Sequence, residues 1–188
     1  EAIFRRTLEH GLRGSLVSNG VKWSERLIAD VLPRFDWVRV SIDAGNMSSY
    51  ATLRRTPVLN WDRVWRHVRG LADAIAKQRT HCILGVGFVV TPESWPEIPD
   101  FTRIASESGA QNCRLTAMFS PEDERPFVEA YDQIRVLIDA ARRRHERPGF
   151  AVYDNFGSRF EDLKQHAPDY SFCSYQHYTA YVGGDMNA

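Results

Sequence analysis

Apolar segments that end in polar residues recur four times along this chain. In the clearest of them, residues 37–45 (WVRVSIDAG), the apolar side chains give way to Ser41 and Asp43. The others cover residues 12–20, 84–94 and 113–123. In a parallel α/β protein the carboxyl ends of the strands meet at one edge, where ligands bind. The pattern therefore predicts one ligand site at that edge.

Segments with helical spacing of apolar residues alternate with these strands. The predicted strands are residues 12–17, 37–42, 81–90, 113–119 and 150–153, and the predicted helices are residues 2–10, 25–32, 61–77, 97–108 and 125–145. Residues 44–59 are expected to form a long loop. Strict alternation favours an α/β fold with a parallel sheet and right-handed crossovers. Residues 1–154 are expected to form this domain, and residues 155–188 a connector toward a C-terminal module.

Composition narrows the class of protein. The chain has 188 residues, enough for one domain with a substantial core, and 24 basic residues balance 24 acidic ones. A net charge of zero gives no reason to expect nucleic acid or an anionic membrane as partner. No apolar run is long enough to span a bilayer. The three cysteines are odd in number and far apart, which argues against a disulfide framework and fits a reducing cytoplasm.

Candidate chemistry gathers after the strand at residues 37–42. The chain has no GxGxxG after a strand, no P-loop, no GxSxG and no HExxH. Ser41 and Asp43 alternate with two apolar residues, so both are predicted on one face of the strand. They can bind hydroxyl groups such as those of a ribose, or they can cap the following loop. Arg54 can bind a carboxylate through two parallel hydrogen bonds, or it can simply pair with an acid on the surface.

Four motifs in this order resemble the later part of a radical S-adenosylmethionine (radical SAM) domain. They are SNG at residues 18–20, SIDAGN with a following Tyr and LR at residues 41–54, GVGFVVTPES at residues 85–94, and RLTAMFSP at residues 114–121. The resemblance implies a partial (β/α) barrel of six parallel strands that binds a [4Fe–4S] cluster and S-adenosylmethionine. It further implies reductive cleavage to a 5′-deoxyadenosyl radical, an external electron donor, and a peptide or small molecule as substrate.

The resemblance assigns cofactor-binding roles to eight residues of this chain. Ser41 would contact the methionine or ribose part, Asp43 would position the loop, and Arg54 would bind the methionyl carboxylate. The others would lie beside the cofactor or flank its adenosine: Ser18, Asn19, Gly87, Met118 and Phe119.

Two family motifs are absent from this sequence. It contains neither the cluster-binding CxxxCxxC nor the GGE-like strand end, so the chain by itself is expected to be inactive. The expected explanation is that the first two βα units are missing by truncation. The segment 172–188 resembles the entry to a SPASM-type auxiliary cluster module, with Cys173 as its first ligand or as an unrelated cysteine.

Two other functions remain open from the sequence. One is a different (β/α) barrel enzyme, such as a metal-dependent aldolase or isomerase that uses Asp43, Asp154 and a histidine. The other is a non-catalytic binding domain that kept the barrel and lost the cluster. Acids and histidines that converge at the strand ends would favour the aldolase or isomerase.

Overall fold

The computed structural model describes residues 1–118 and 125–156. This part of the chain has six helices and five strands, with one helix between successive strands except for two between β2 and β3, and short 3₁₀ turns at Leu32–Arg34 and Trp95–Glu97. The strands are β1 (Ser15–Ser18), β2 (Trp37–Ser41), β3 (Ile83–Val90), β4 (Asn112–Ala117) and β5 (Ala151–Asp154). The helices are α1 (Ala2–Glu9), α2 (Glu25–Asp30), α3 (Met47–Arg54), α4 (Leu59–Gln78), α5 (Ile98–Glu107) and α6 (Arg125–His145).

All five strands form one parallel sheet in the order β1-β2-β3-β4-β5. Each crossover therefore moves to the next strand in the same direction. Right-handed crossovers in one direction place the connecting helices on one face of the sheet. A doubly wound sheet would reverse its strand order, whereas a barrel wall does not. The predicted parallel α/β fold is confirmed, and the sheet is consistent with a partial (β/α) barrel.

Burial alternates along the strands and shows which face the helices cover. In β2, Val38 and Val40 are buried, whereas Trp37 is exposed and Arg39 and Ser41 are half-buried. The buried residues of β3 and β4 continue this core, against which α4 and α5 pack their apolar sides. We call the opposite side of the sheet the open face. It carries residues that alternate with the core positions, among them Arg39, Ser41, Gly85, Gly87, Asn112, Arg114 and Tyr153.

The expectation that residues 44–59 form a long loop is wrong. Helix α3 begins after Asn46, whose Oδ1 accepts hydrogen bonds from the backbone N–H groups of Ser48 and Ser49, both at 3.0 Å. This is the geometry of a helix N-cap. The helix ends at Arg54, and the C-cap residue Arg55 adopts a left-handed conformation with φ of 47°. The helix has a single buried residue, Tyr50, so its apolar pattern is weak.

Two predicted boundaries also shift, since β1 begins at Ser15 rather than at residue 12 and α5 begins at Ile98 after a 3₁₀ turn. Within the part of the chain that the structure describes, no helix has the length and apolar character needed to cross a membrane.

Candidate functional site

The end of β2 is fixed by a turn in which Asp43 has a left-handed backbone conformation, with φ of 62°. The backbone N–H groups of Ile42 and Asp43 both donate to the Gly87 carbonyl, at 3.0 and 3.2 Å. This turn moves the Asp43 backbone out of the hydrogen-bond pattern between β2 and β3. The Asp43 side chain continues the contact, because its Oδ1 accepts a hydrogen bond from the Val89 N–H at 2.8 Å. Asp43 thus continues the contact between β2 and β3 beyond the last paired residue of β2.

Arg54 completes this arrangement from helix α3. Its Nη2 donates to the Asp43 carboxylate and, at 3.0 Å, to the Ser41 carbonyl. The Arg54 Nε is buried and has no hydrogen-bond partner among the described residues. Burial raises the pKa of the Asp43 carboxyl, while the Val89 N–H and the Arg54 guanidinium act in the opposite direction. The three predicted residues Ser41, Asp43 and Arg54 are therefore in one hydrogen-bonded unit.

Ser41 presents its side chain on the open face. It pairs in register with Gly87 on β3, and its hydroxyl makes no hydrogen bond within the described residues. A Cβ added at Gly87 would meet nothing closer than the Arg39 Cδ, at 3.7 Å. Gly87 therefore places no side chain next to Ser41 in register, and the Arg39 stem lies at ordinary contact distance from it. The Ser41 hydroxyl has a donor and an acceptor without partners among the described residues.

Ser18 and Asn19 shape the turn that follows β1. The Ser18 hydroxyl accepts from the Gly20 N–H at 3.1 Å, and the Asn19 Oδ1 accepts from the Val21 N–H at 3.2 Å. The His67 Nδ1 lies 2.7 Å from the Gly20 carbonyl oxygen. Both predicted residues lie at the correct edge, and their observed hydrogen bonds are those of a turn.

Met118 is half-buried against the core, and its N–H donates to the Val90 carbonyl at 2.8 Å. Phe119 and Cys173 lie outside the described residues, so their predicted roles stay predictions.

A polar cavity of about 270 Å³ lies beside Asp43, between α3 and the loop after β3. Its lining includes the acidic residues Asp43, Glu93 and Glu97 together with several hydroxyl groups. Sequence reasoning missed Glu97, whose Oε2 accepts from the Gly45 N–H at 2.7 Å and whose Oε1 accepts from the Ser49 hydroxyl. The contact crosses 52 positions in sequence, so no local pattern could have indicated it.

A second cavity, of about 460 Å³, opens on the open face. Its lining combines two arginines with an amide, a phenol and an indole: Arg39, Arg114, Asn112, Tyr153 and Trp37. Sequence reasoning missed both arginines. The alternation of β2 carried a signal for Arg39, which lies on the same face as Ser41.

No family model and no curated protein sequence matches this chain. Assignment to a family therefore stays a prediction from the four motifs, and the functional argument depends on the fold and on the contacts described above.

The other candidate ligands are occupied or distant. Asp154, at the end of β5, is paired with Arg135 of α6 and is almost fully buried. His81 lies at the opposite edge of the sheet, where its Nε2 is 3.6 Å from an Asp36 oxygen. Among the described residues, no group of three or more histidines, cysteines or acids is placed to hold a metal ion. The two acids that the aldolase or isomerase hypothesis names, Asp43 and Asp154, are therefore each paired with an arginine.

Cys82 and Cys113 are buried, as expected for small apolar residues. Burial raises the pKa of the Cys82 thiol to about 11 and that of the Cys113 thiol to about 12. Both thiols are therefore protonated at neutral pH in the metal-free protein, as buried cysteines with a structural role are.

Proposed function

We propose that this chain forms part of a radical SAM domain and contributes to the S-adenosylmethionine site at the carboxyl ends of β2 and β3. The observation that carries the proposal is the open face beside Ser41. There a hydroxyl without a hydrogen-bond partner among the described residues lies in register with Gly87, on a parallel sheet whose strands follow one another in chain order. The order of the motifs SNG, SIDAGN, GVGFVVTPES and RLTAMFSP along the chain adds sequence support.

The described residues fit S-adenosylmethionine and do not fit the cluster. Ser41 offers a hydroxyl, and the buried Arg54 Nε is a donor without a partner among the described residues. Cys82 and Cys113 are buried, and neither belongs to a group of three or more potential metal ligands among the described residues. In the proposed enzyme the cluster would be bound by a CxxxCxxC segment that is not in this sequence.

The residues of this chain would then divide into contact groups, the Ser41 hydroxyl and the Arg54 Nε, and a positioning ion pair between Asp43 and the Arg54 Nη2. Ser41 would donate to the methionyl or ribose part of the bound cofactor, and Gly87 would leave the space that this part needs. Asp43 and Arg54 hold the end of β2 by their mutual ion pair and by the contacts to Val89 and to the Ser41 carbonyl. When bound, S-adenosylmethionine would supply a radical that abstracts hydrogen from the substrate.

The first test uses the native full-length protein that contains this chain. The proposal expects a CxxxCxxC in that protein, visible absorbance of a [4Fe–4S] cluster after anaerobic reconstitution, and release of 5′-deoxyadenosine after reduction. A full-length protein without those cysteines, or a loaded protein that forms no 5′-deoxyadenosine, contradicts the proposal. Iron and sulfide analysis of the native protein separates it from a binding domain that lost the cluster.

The second test examines the site within this chain. Ser41→Ala removes one hydrogen-bonding group and should weaken S-adenosylmethionine binding by about tenfold. Gly87→Ala places a methyl group in the space beside Ser41 without a backbone clash and should weaken binding similarly. Ser15→Ala, at the other end of the sheet, is the matched control and should leave binding unchanged. Equal effects of the substitutions at Ser41 and Ser15 would argue against a cofactor site at this edge.

A further inference from the structure

The open face carries two arginines that have no counter-ion among the described residues. Arg39 on β2 and Arg114 on β4 lie on either side of β3, and neither forms an ion pair or a side-chain hydrogen bond with any described residue. Every other residue that lines their cavity is neutral. Asp43, whose charge acts to raise the pKa of Arg39, is already paired with Arg54.

The local structure brings the two charges toward each other. Positions 85 and 87 of β3 are glycines, and the Arg39 Cδ lies 3.7 Å from the point that a Gly87 Cβ would occupy. The Arg39 side chain therefore leans across β3 toward the strand that carries Arg114. Burial, and after it the charge of Arg114, lower the pKa of the Arg39 guanidinium from its usual value. Half-buried like charges raise the free energy of the ligand-free protein.

Neutral donors complete the lining. Asn112 lies over Gly85, since a Cβ there would be 2.4 Å from the Asn112 Oδ1, so its amide group reaches across the strand. Tyr153 contributes a phenol to the same cavity. The Arg39 guanidinium lies over the Trp37 ring, 5.8 Å from its centroid, which restrains the arginine at the rim. Two guanidinium groups, an amide and a phenol provide many N–H and O–H donors and no anionic acceptor.

We propose that this cavity binds the oxyanion of a small-molecule ligand, a phosphate or a carboxylate group, between Arg39 and Arg114. Guanidinium groups match the geometry of both oxyanions and bind them by paired charge-assisted hydrogen bonds. A volume of about 460 Å³ suits a small ligand. The proposal depends on the fold of the sheet and not on radical chemistry, so it can hold where the proposed function fails.

The test measures the stability of the 188-residue chain as inorganic phosphate or succinate replaces chloride at constant ionic strength. We expect a saturable rise in melting temperature with at least one of the two anions, and the arm that responds identifies phosphate or carboxylate. Arg39→Met and Arg114→Met should each weaken the apparent affinity by about tenfold to hundredfold. Arg26→Met is the matched control, since Arg26 is exposed and pairs with Asp30 on α2. It should leave the affinity unchanged.

Ligand-free stability separates a binding role from a structural one. Because each substitution removes one of two mutually repelling charges, Arg39→Met and Arg114→Met should melt no lower than the wild type without anion. Arg39→Lys keeps the positive charge but loses the planar guanidinium, which can donate two parallel hydrogen bonds to an oxyanion. This variant should bind the anion more weakly than the wild type and more tightly than Arg39→Met. No anion effect beyond chloride, equal weakening by Arg26→Met, or a lower melting temperature of both methionine variants would overturn the proposal.

Discussion

Replacing Arg54 by methionine tests whether the ion pair with Asp43 holds the end of β2. Arg54→Met keeps most of the aliphatic stem and removes the guanidinium, so the Asp43 carboxylate stays buried without its cation. The side chain of Asp43 is 11% exposed and that of Arg54 is 31% exposed. The Ser41 carbonyl also loses a hydrogen bond at 3.0 Å. The first loss depends on the charge of Asp43, whereas the second is the same at every pH.

The magnitude follows from the effect of a nearby cation on a carboxyl pKa. An adjacent arginine lowers the pKa of an aspartate by about 1–3 units, and one unit corresponds to about 1.4 kcal/mol. Since Arg54 is about one-third exposed, solvent screening reduces this, and we expect a pH-dependent cost of about 1–3 kcal/mol near neutral pH. For a chain of this size the melting temperature should fall by about 2–12 °C.

The pH dependence has a defined sign. Burial already raises the pKa of Asp43 in the folded wild type, and removing Arg54 raises it further, while the unfolded pKa is unchanged. Between these two folded pKa values the folded variant binds more protons than the folded wild type. The free energy of unfolding of Arg54→Met, relative to the wild type, therefore falls as pH rises from about 4 toward neutrality. Adding Asp43→Asn to the variant should abolish this dependence.

Urea unfolding followed by circular dichroism measures these differences between about pH 4 and pH 7. Arg26→Met is again the control, because its pair with Asp30 has a distance of 3.9 Å and both side chains are more than half exposed. It should cost less than about 1 kcal/mol with little pH dependence. Equal decreases in the free energy of unfolding for Arg54→Met and Arg26→Met, or a decrease for Arg54→Met that does not change with pH, would contradict this role of the ion pair.

Three further predictions concern the backbone of the site and the buried thiol. Gly45→Ala should destabilise the fold by about 1–3 kcal/mol, since the new Cβ would lie 2.5 Å from the backbone oxygen of Glu97. Gly70→Ala within α4 should instead stabilise the fold by about 0.5–1 kcal/mol. Equal melting temperatures of the two variants would contradict this. Asn46→Ala removes the N-cap of α3 and should cost about 1 kcal/mol in urea unfolding, and no loss would show that the cap contributes nothing. Folding raises the pKa of the Cys113 thiol from 9.0 to about 12. The contribution of Cys113 to the free energy of unfolding should therefore fall by about 1.4 kcal/mol per pH unit above about pH 9. A Cys113→Ala variant whose free energy of unfolding falls equally steeply with pH in this range would refute this.

The strands and their parallel order could be predicted because each strand combines a strong apolar run with a helical segment after it. Helix α3 could not, since it buries only Tyr50 and its serines and threonine are typical of loops. Its start depends on Asn46, and asparagine serves equally as a turn residue and as an N-cap. The sequence around residues 44–59 therefore supports both a loop and a helix, and the packing of Tyr50 against Trp61 favours the helix.

The side-chain partners in the site were less predictable than its position. Alternation along β2 places Ser41 on a face, but whether Arg54 binds a ligand or an acid of this chain depends on how α3 returns over the strand. The surroundings of Arg39, which has no counter-ion among the described residues, depend on three strands at once. The register of these strands sets Gly85 beside Arg39 and Arg114 beside Gly87. The four sequence motifs do not specify that register.

The charges of the described residues are arranged differently at the strand ends and on the open face. Asp43 lies just after β2, and Asp154 is the last residue of β5. Each is paired with an arginine from a helix, so neither acid is available to bind a cationic group strongly. On the open face the arrangement is reversed, because Arg39 and Arg114 have no acid partner among the described residues. A ligand that reaches from Ser41 across the open face therefore meets the neutral Ser41 hydroxyl near the carboxyl end of β2. It meets the positive charges of Arg39 and Arg114 nearer the amino ends of β2 and β4. We expect such a ligand to direct its hydroxyl groups toward Ser41 and its anionic group toward the two arginines.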